Sequence, residues 1–184
     1  MTDIISKDTP ARSDQAGIEG SEKHLSDPSL IELIELFFFA YRDFTQDPDA
    51  ILTEFGFGRA HHRVLHFVNR YPGMRVADLL EILKITKQSL ARVLKQLVDK
   101  GIIEQRPGKS DRRERRLFTT PEGEKLAARL MEPQLLRIRK ALKSSGIESE
   151  QISSRFLYNM INSIDHEAVL ELFSRSRSTR ELKG

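Results

Sequence analysis

Positive charge is concentrated in the segment 103–123, IEQRPGKSDRRERRLFTTPEG, in which six residues are Lys or Arg. An arginine fork can make two hydrogen bonds to a phosphate, and a narrow DNA minor groove favours arginine because it concentrates negative potential. The alternative is a solvated surface loop, since arginine-rich loops are common. The candidate phosphate-gripping residues of this segment are Lys109, Ser110, Asp111, Arg112, Arg113 and Arg115.

The preceding segment, TKQSLARVLKQLVDK (86–100), has the apolar spacing of an amphipathic helix. A helix fits the DNA major groove, and the residues at its start reach the base edges first. Gln can pair bidentately with adenine and Arg with guanine, whereas Lys suits phosphates. The candidate reading residues on the polar face are Thr86, Lys87, Gln88, Ser89, Arg92 and Lys95.

Both segments lie in the most basic part of the chain. Residues 84–116 hold eleven Lys and Arg against four Asp and Glu, a local charge of +7 in a chain whose net charge is +3. The remainder is therefore mildly acidic. A basic segment on an acidic body is typical of a protein that binds a polyanion. Asp111 stands two residues before Arg113, where a carboxylate can hold an arginine fork in one pose.

Two short helices and a β-hairpin are predicted to position these groups. The pattern predicts a helix over 75–83, a tight connection at Lys84-Ile85, and a recognition helix over 86–100 that Thr86 caps and Gly101 ends. A hairpin, the wing, follows over 102–119. This order predicts a winged helix-turn-helix over 48–120 and a fold that is mainly α with a small β-wing.

Apolar helices are predicted on both sides of the winged domain, over 28–47 and 121–173. Asp27 is the predicted cap of the first. The second region is predicted to form one helix that runs through Pro133 and ends at Gly146, and a last helix from about 148 to 173. These helices carry more apolar surface than a small domain can cover, so we expect a homodimer, whose two-fold symmetry suits a pseudo-palindromic operator. Residues 1–27 and 174–184 are predicted to be disordered tails. The candidate dimerisation residues are Leu30, Ile31, Ile34, Phe156, Met160 and Ile164.

His62 and His66 are four residues apart on a predicted helix and could share a metal ion. No Cys or nearby carboxylate completes a ligand set in sequence, although Asp165 and His166 could approach in the fold. The other interpretations are core packing and a small-molecule pocket with apolar walls and a few polar groups. We predict no metal or cofactor. The candidate effector-pocket residues are Phe38, Tyr41, Phe44, Thr45, His62, His66 and Phe67.

Several classes of protein are disfavoured. The absence of cysteine removes disulfides, thiolate metal sites and a cysteine redox switch. There is no HExxH motif and no paired acid and base, so we predict that the protein is not an enzyme. No apolar run is long enough to span a bilayer, and the N-terminus has no signal-peptide core. We therefore expect a cytoplasmic protein without a membrane partner.

The region from about 58 to 123 resembles the MarR family of bacterial transcriptional regulators. The resemblance rests on TKQSLAR (86–92), Leu97, Gly101-Ile102, Arg106, Asp111-x-Arg113 and Thr120-x-x-Gly123. Thr119 departs from the Leu that the family often has there. The stretch FGFGRAHHRVLHF is also similar to an alphaproteobacterial branch with regulators of cell-wall remodelling.

The resemblance implies a homodimer built from the N- and C-terminal helices, with each recognition helix in a major groove of a pseudo-palindromic operator. It also implies that a small, often aromatic or phenolic effector binds between the dimerisation and DNA-binding parts and weakens DNA binding. The alternative is a winged-helix module for protein assembly, or for architectural DNA contacts, without ligand sensing. Indifference to duplex DNA at low salt would favour the protein-assembly role.

Overall fold

The structure is a computed structural model that describes residues 27–108 and 114–181, with side chains as far as residue 175. These residues fall into two compact units, 27–43 and 44–181. The elements are α1 (Pro28–Gln46), α2 (Asp49–Glu54), α3 (Arg59–Arg70), β1 (Met74–Arg75), α4 (Val76–Leu83), α5 (Lys87–Asp99), β2 (Ile103–Pro107), β3 (Arg115–Thr119), α6 (Pro121–Ser145), α7 (Ser149–Asn159), a 3-10 helix (Ser163–Asp165) and α8 (His166–Glu181). The predicted fold class, mainly α with a small β-wing, is confirmed.

The first unit consists of Asp27 and most of α1. The backbone N–H and the hydroxyl of Ser29 donate to Asp27 Oδ1 at 3.0 and 2.7 Å, so Asp27 caps the helix as predicted. None of the residues of α1 is buried. The helix ends at Gln46, just before Asp47-Pro48, where the residue before a proline disfavours helical backbone.

The core of the second unit lies where α3 packs against α5 and α6. Each fully buried Leu or Val side chain stabilises the fold by about 1.5–3 kcal/mol relative to exposure. Val64, Leu65 and Val68 of α3 lie in this core, as do Leu90, Val93, Leu94 and Leu97 of α5. Its largest fully buried side chains are Leu52, Leu65, Leu79, Leu90, Leu97, Ile103, Leu117, Leu130, Val64 and Val68.

The wing is part of a three-stranded antiparallel sheet with the order β1-β3-β2. The hairpin β2–β3 was predicted, but β1 was not, because Arg75 was expected to begin a helix. Gly73 has φ +83° and its N–H donates to the carbonyl of Leu117 at 2.7 Å. The turn therefore places Met74 and Arg75 beside β3, where they pair as β1. The helix therefore begins one residue later, at Val76.

The C-terminal region differs from the prediction in the division of its last helix and in where that helix ends. The helix α6 continues through Pro133 and ends at Gly146, as expected, but the single helix predicted from about 148 to 173 is divided into α7 and α8. His166 stacks on Tyr158 with ring centroids 4.4 Å apart, and its Nε2 lies 3.0 Å from the carbonyl oxygen of Ile161. These contacts hold the break in place. α8 extends to Glu181, into the segment predicted to be a tail.

Candidate nucleic-acid interface

The turn of the helix-turn-helix is made by Lys84, Ile85 and Thr86. Lys84 has left-handed backbone, φ 51° and ψ 40°, and is the non-glycine residue with positive φ among those the structure describes. Thr86 Oγ1 accepts a hydrogen bond from the backbone N–H of Ser89 at 3.2 Å. Thr86 is thus the N-cap of α5, which confirms the prediction and fixes where the recognition helix begins.

One face of α5 is buried and the opposite face is exposed. Leu90, Val93, Leu94 and Leu97 lie in the core and hold the helix against the domain. Lys95 Nζ is 2.6 Å from Asp99 Oδ2, one turn further along, so its charge is partly balanced within the helix. The six predicted reading residues all lie on the exposed side: Thr86, Lys87, Gln88, Ser89, Arg92 and Lys95.

A histidine that the sequence analysis did not assign connects α5 to the start of α3. The Gly58 N–H donates to His61 Nδ1 at 3.1 Å, and His61 Nε2 lies 2.7 Å from Gln96 Oε1. Because Nδ1 accepts, the ring hydrogen is on Nε2 and is donated to Gln96. The ring also stacks on Phe57, with centroids 4.7 Å apart. The spacing Gly58-x-x-His61, an N-cap followed by an N3 side chain, is the signal that could have revealed it.

Most of the predicted wing site lies outside the described residues, which applies to Lys109, Ser110, Asp111, Arg112 and Arg113. The roles assigned to them stay predictions. Arg115 is described: it is exposed and stands opposite Pro107 in the ladder. The Gly108 N–H donates to the carbonyl of Glu114 at 2.9 Å and closes the described part of the hairpin.

The base of the wing carries three further arginines. The guanidinium group of Arg106 lies over the ring of Phe118, 4.4 Å from its centroid, and pairs with Glu104. Arg116 Nη1 donates to the carbonyl of Gly73 at 3.1 Å. Arg75 pairs with Asp78 at the start of α4. Sequence reasoning included Arg106 only within the family resemblance and gave Arg75 no role, because the strand β1 was not foreseen.

His62 and His66 are half-buried on α3, and burial is the main cause that lowers the pKa of both imidazoles. A neighbouring positive charge acts in the same direction, from His66 on His62 and from Arg70 on His66. Phe67, also half-buried, meets the His66 ring edge-on at 5.3 Å and stacks on Tyr71 at 6.4 Å. The neutral form of both imidazoles is therefore favoured, and His66 lies beside an aromatic cluster.

The remaining predicted pocket residues lie on α1. Phe38 and Tyr41 are exposed, whereas Phe44 and Thr45, in the last turn, are half-buried. The effector pocket stays a prediction. The predicted dimerisation residues, on α1 and in the C-terminal region, are exposed in the single chain: Leu30, Ile31, Ile34, Phe156, Met160 and Ile164.

The residues that could have completed a metal site with His62 and His66 have other partners. Asp165 instead pairs with Lys84, and His166 is held by Tyr158 and Ile161. In residues 27–108 and 114–181, no three His, Asp or Glu side chains form a group that could hold a metal. Within the same ranges, no helix is both long and apolar enough to cross a membrane.

Comparison with known proteins agrees with this geometry. A model of the MarR family matches residues 55–114, which include the whole helix-turn-helix. The chain is 50% identical over 122 residues to the HTH-type transcriptional regulator PetP of Rhodobacter capsulatus. That match covers 66% of this chain and 74% of PetP.

Solved structures with low sequence identity share the fold. A putative MarR-family regulator from Listeria monocytogenes, solved with a 26mer DNA, has a TM-score of 0.61 at 17% identity. The match covers 76% of this chain and 91% of that one. FabT of Streptococcus pneumoniae, solved with DNA, has a TM-score of 0.62 at 16% identity and covers 71% of this chain and 94% of that one. The PetP match and the family model over residues 55–114 show that the chain belongs to the MarR family of winged-helix transcriptional regulators, which are not enzymes.

Proposed function

We propose that the protein is a homodimeric, sequence-specific DNA-binding regulator that inserts α5 into the major groove of a pseudo-palindromic operator. One observation carries the proposal: the N-cap and the exposed side of α5 hold the six predicted reading residues, while the other side of the helix is anchored by buried leucines and valine. A helix held rigidly from behind can present side chains to base edges with little entropy to lose.

The reading residues have different roles in this proposal. Gln88 reads adenine and Arg92 reads guanine, each with two hydrogen bonds. Lys87 and the first N–H groups of α5 bind phosphate, because a helix N-terminus carries partial positive charge. Lys95, held by Asp99, is a weaker phosphate ligand. In the wing, Arg115 and residues 109–113 approach the minor groove.

The partner of the exposed apolar surfaces is a second copy of the chain. The support is chemical: α1 exposes Leu36, Phe38 and Phe39 as large apolar side chains, and the C-terminal helices expose Phe156 and Met160. Large exposed apolar side chains of this kind mark an interface. A two-fold dimer also places two recognition helices on one operator.

A small aromatic or phenolic effector is proposed to weaken DNA binding. The half-buried side of α3 supports this, because His66 and Phe67 offer an aromatic wall with a polar nitrogen. A neutral imidazole can donate to or accept from a phenol hydroxyl without the cost of burying a charge. The DNA targets recovered by selection would define the operator. The genes beside them would test the link to cell-wall remodelling and narrow the choice of effector.

The deciding experiment is selection of fragmented genomic DNA by the purified full-length protein at physiological salt. We expect a pseudo-palindromic motif whose affinity falls steeply with salt, by a log–log slope of roughly −0.9 for each phosphate neutralised. Arg92→Ala should relax the preference at one position of each half-site. Lys87→Ala should weaken binding to all sequences alike. Lys125→Ala, which removes an exposed positive charge on α6, is the control and should change neither.

Diffuse, salt-sensitive binding without a recovered motif would contradict Gln88 and Arg92 as base readers and favour an architectural role. Indifference to duplex DNA at low salt would favour a module for protein assembly.

A further inference from the structure

Three arginines form a row across the outer face of the wing sheet. In the antiparallel ladders, Arg116 on β3 stands directly opposite Arg75 on β1 and, on its other side, opposite Arg106 on β2. Neighbouring strands are about 4.8 Å apart, and like charges directly opposite each other destabilise a sheet. Negative charge placed among the three guanidinium groups offsets this repulsion.

Each arginine of the row has a carboxylate partner. Arg75 donates to Asp78 Oδ1 from Nη2 at 2.7 Å and from Nε at 3.0 Å. Arg106 pairs with Glu104 on its own strand. Arg116 donates to Glu114 Oε2 from Nη2 at 2.8 Å and from Nε at 3.0 Å.

Glu114 differs from the other two carboxylates because it reaches both strands. While Oε2 accepts from Arg116, Oε1 lies 3.7 Å from Arg75 Nε. The Glu114 side chain retains 22% of its accessible surface, close to the 18% of Asp78 and well below the 42% of Glu104. Solvent therefore screens its interactions less. The carboxylate stands between the two positive charges that would otherwise face each other across the β1–β3 ladder.

The position of Glu114 in the chain gives this bridge a further consequence. Its carbonyl accepts from the Gly108 N–H, so Glu114 and Gly108 are the paired residues that flank 109–113. Arg75, at the other end of the bridge, immediately precedes α4, the first helix of the helix-turn-helix. The Glu114 side chain thus connects the paired residues Gly108 and Glu114 to the start of the helix-turn-helix at Arg75.

We infer that Glu114 is a positioning residue that holds the hairpin against β1 by neutralising the facing charges of Arg75 and Arg116. The effect of these Glu114 contacts on DNA binding rests on the proposed function. A hairpin that is already held loses less freedom when the wing binds, whereas a loosened one must be ordered at that moment. Glu104, which pairs within one strand, has no such role.

The test uses four variants of the full-length chain: Glu114→Gln, Glu104→Gln, Arg75→Gln and the double variant Glu114→Gln/Arg75→Gln. The first readout is hydrogen exchange of the β1 and β3 amides, which needs no DNA. We expect Glu114→Gln to accelerate exchange in both strands. Glu104→Gln should leave β1 unchanged. The double variant should exchange at close to the rate of Arg75→Gln alone, because both variants lack the facing charges of Arg75 and Arg116 across the β1–β3 ladder.

The second readout is affinity for the selected operator. We expect Glu114→Gln to weaken binding by roughly two- to tenfold, as expected from ordering a side chain and its strand on binding. The double variant should bind as Arg75→Gln does. Equal effects of Glu114→Gln and Glu104→Gln, or an additive loss in the double variant, would overturn the inference. Failure of the unsubstituted protein to select any operator would contradict the proposed function, whereas the exchange rates would still decide the role of Glu114.

Discussion

Lys84 Nζ and Asp165 Oδ1 are 2.8 Å apart, although 81 residues separate them in the chain. This ion pair connects the left-handed turn of the helix-turn-helix to the 3-10 helix that leads into α8. Lys84 is largely exposed, so solvent screens the pair and its own contribution to stability is small. The larger local effect is the positive φ of Lys84, because a side chain with Cβ is disfavoured in left-handed backbone by about 1–2 kcal/mol.

The two effects can be separated at this position. Lys84→Ala removes the ion pair and keeps the unfavourable φ, whereas Lys84→Gly removes both. We expect the Gly variant to be more stable than the Ala variant by about 1 kcal/mol, measured as the free energy of unfolding in urea. Asp165→Asn should lower stability by no more than about 1 kcal/mol. A Gly variant less stable than the Ala variant would show that Lys84 does not adopt this conformation.

Gly123 allows α6 to begin against the sheet. A Cβ at this position would lie 2.0 Å from the carbonyl oxygen of Ile102, which is backbone and cannot rotate away. We expect Gly123→Ala to destabilise the fold by about 3 kcal/mol or more. Gly58→Ala is the matched control, since nothing lies within 4 Å of the Cβ added there, and it should cost about 1 kcal/mol or less. Equal melting temperatures of the two variants would contradict the packing of α6 on Ile102.

Gln96 and Gln88 lie on the same helix and should have separable roles. Gln96 accepts from His61 and joins α5 to α3, so Gln96→Ala should lower the free energy of unfolding by about 1 kcal/mol and leave operator preference unchanged. Gln88 is exposed, so Gln88→Ala should leave stability unchanged and relax base preference. Denaturation and binding measured on both variants check this. A stability loss common to both would contradict the His61–Gln96 contact.

Stability should depend on pH through His62 and His66. Burial lowers the pKa of each imidazole below its ordinary value of 6.5, so the folded state favours the neutral form and the unfolded state binds protons more readily. The stabilisation is complete above about pH 6.5 and is lost as the pH falls from there through the folded-state pKa. We therefore expect the melting temperature to fall as the pH is lowered from 7.5 to 5.5.

The double variant His62→Gln/His66→Gln should flatten this dependence. The pKa values of Asp49 and Asp78 are lowered below 3.8, so these carboxyl groups affect stability only at more acidic pH and do not contribute between pH 5.5 and 7.5. For Asp49 the first cause is its hydrogen bond from Arg59. An unchanged slope in the double variant would assign the pH dependence to other groups.

The elements of the winged domain were predictable because their signals are local. Thr86 and Thr120 are each followed three residues later by the N–H that they cap, and Gly101 and Gly146 have the positive φ that ends the preceding segment. The apolar spacing of α5 likewise determined which face is buried. Each of these features depends on neighbours within about one helical turn, so the amino-acid sequence by itself determined them.

The tertiary structure decided what depends on distant pairs. β1 exists because β3 lies beside Gly73 and Met74, and the break between α7 and α8 carries neither Pro nor Gly to mark it. The partners of Lys84, His61 and Glu114 come from elements whose approach is set by packing of the core. Periodicity indicates which face of a helix is buried but not which residue of another element meets it, so these contacts had to be read from the fold.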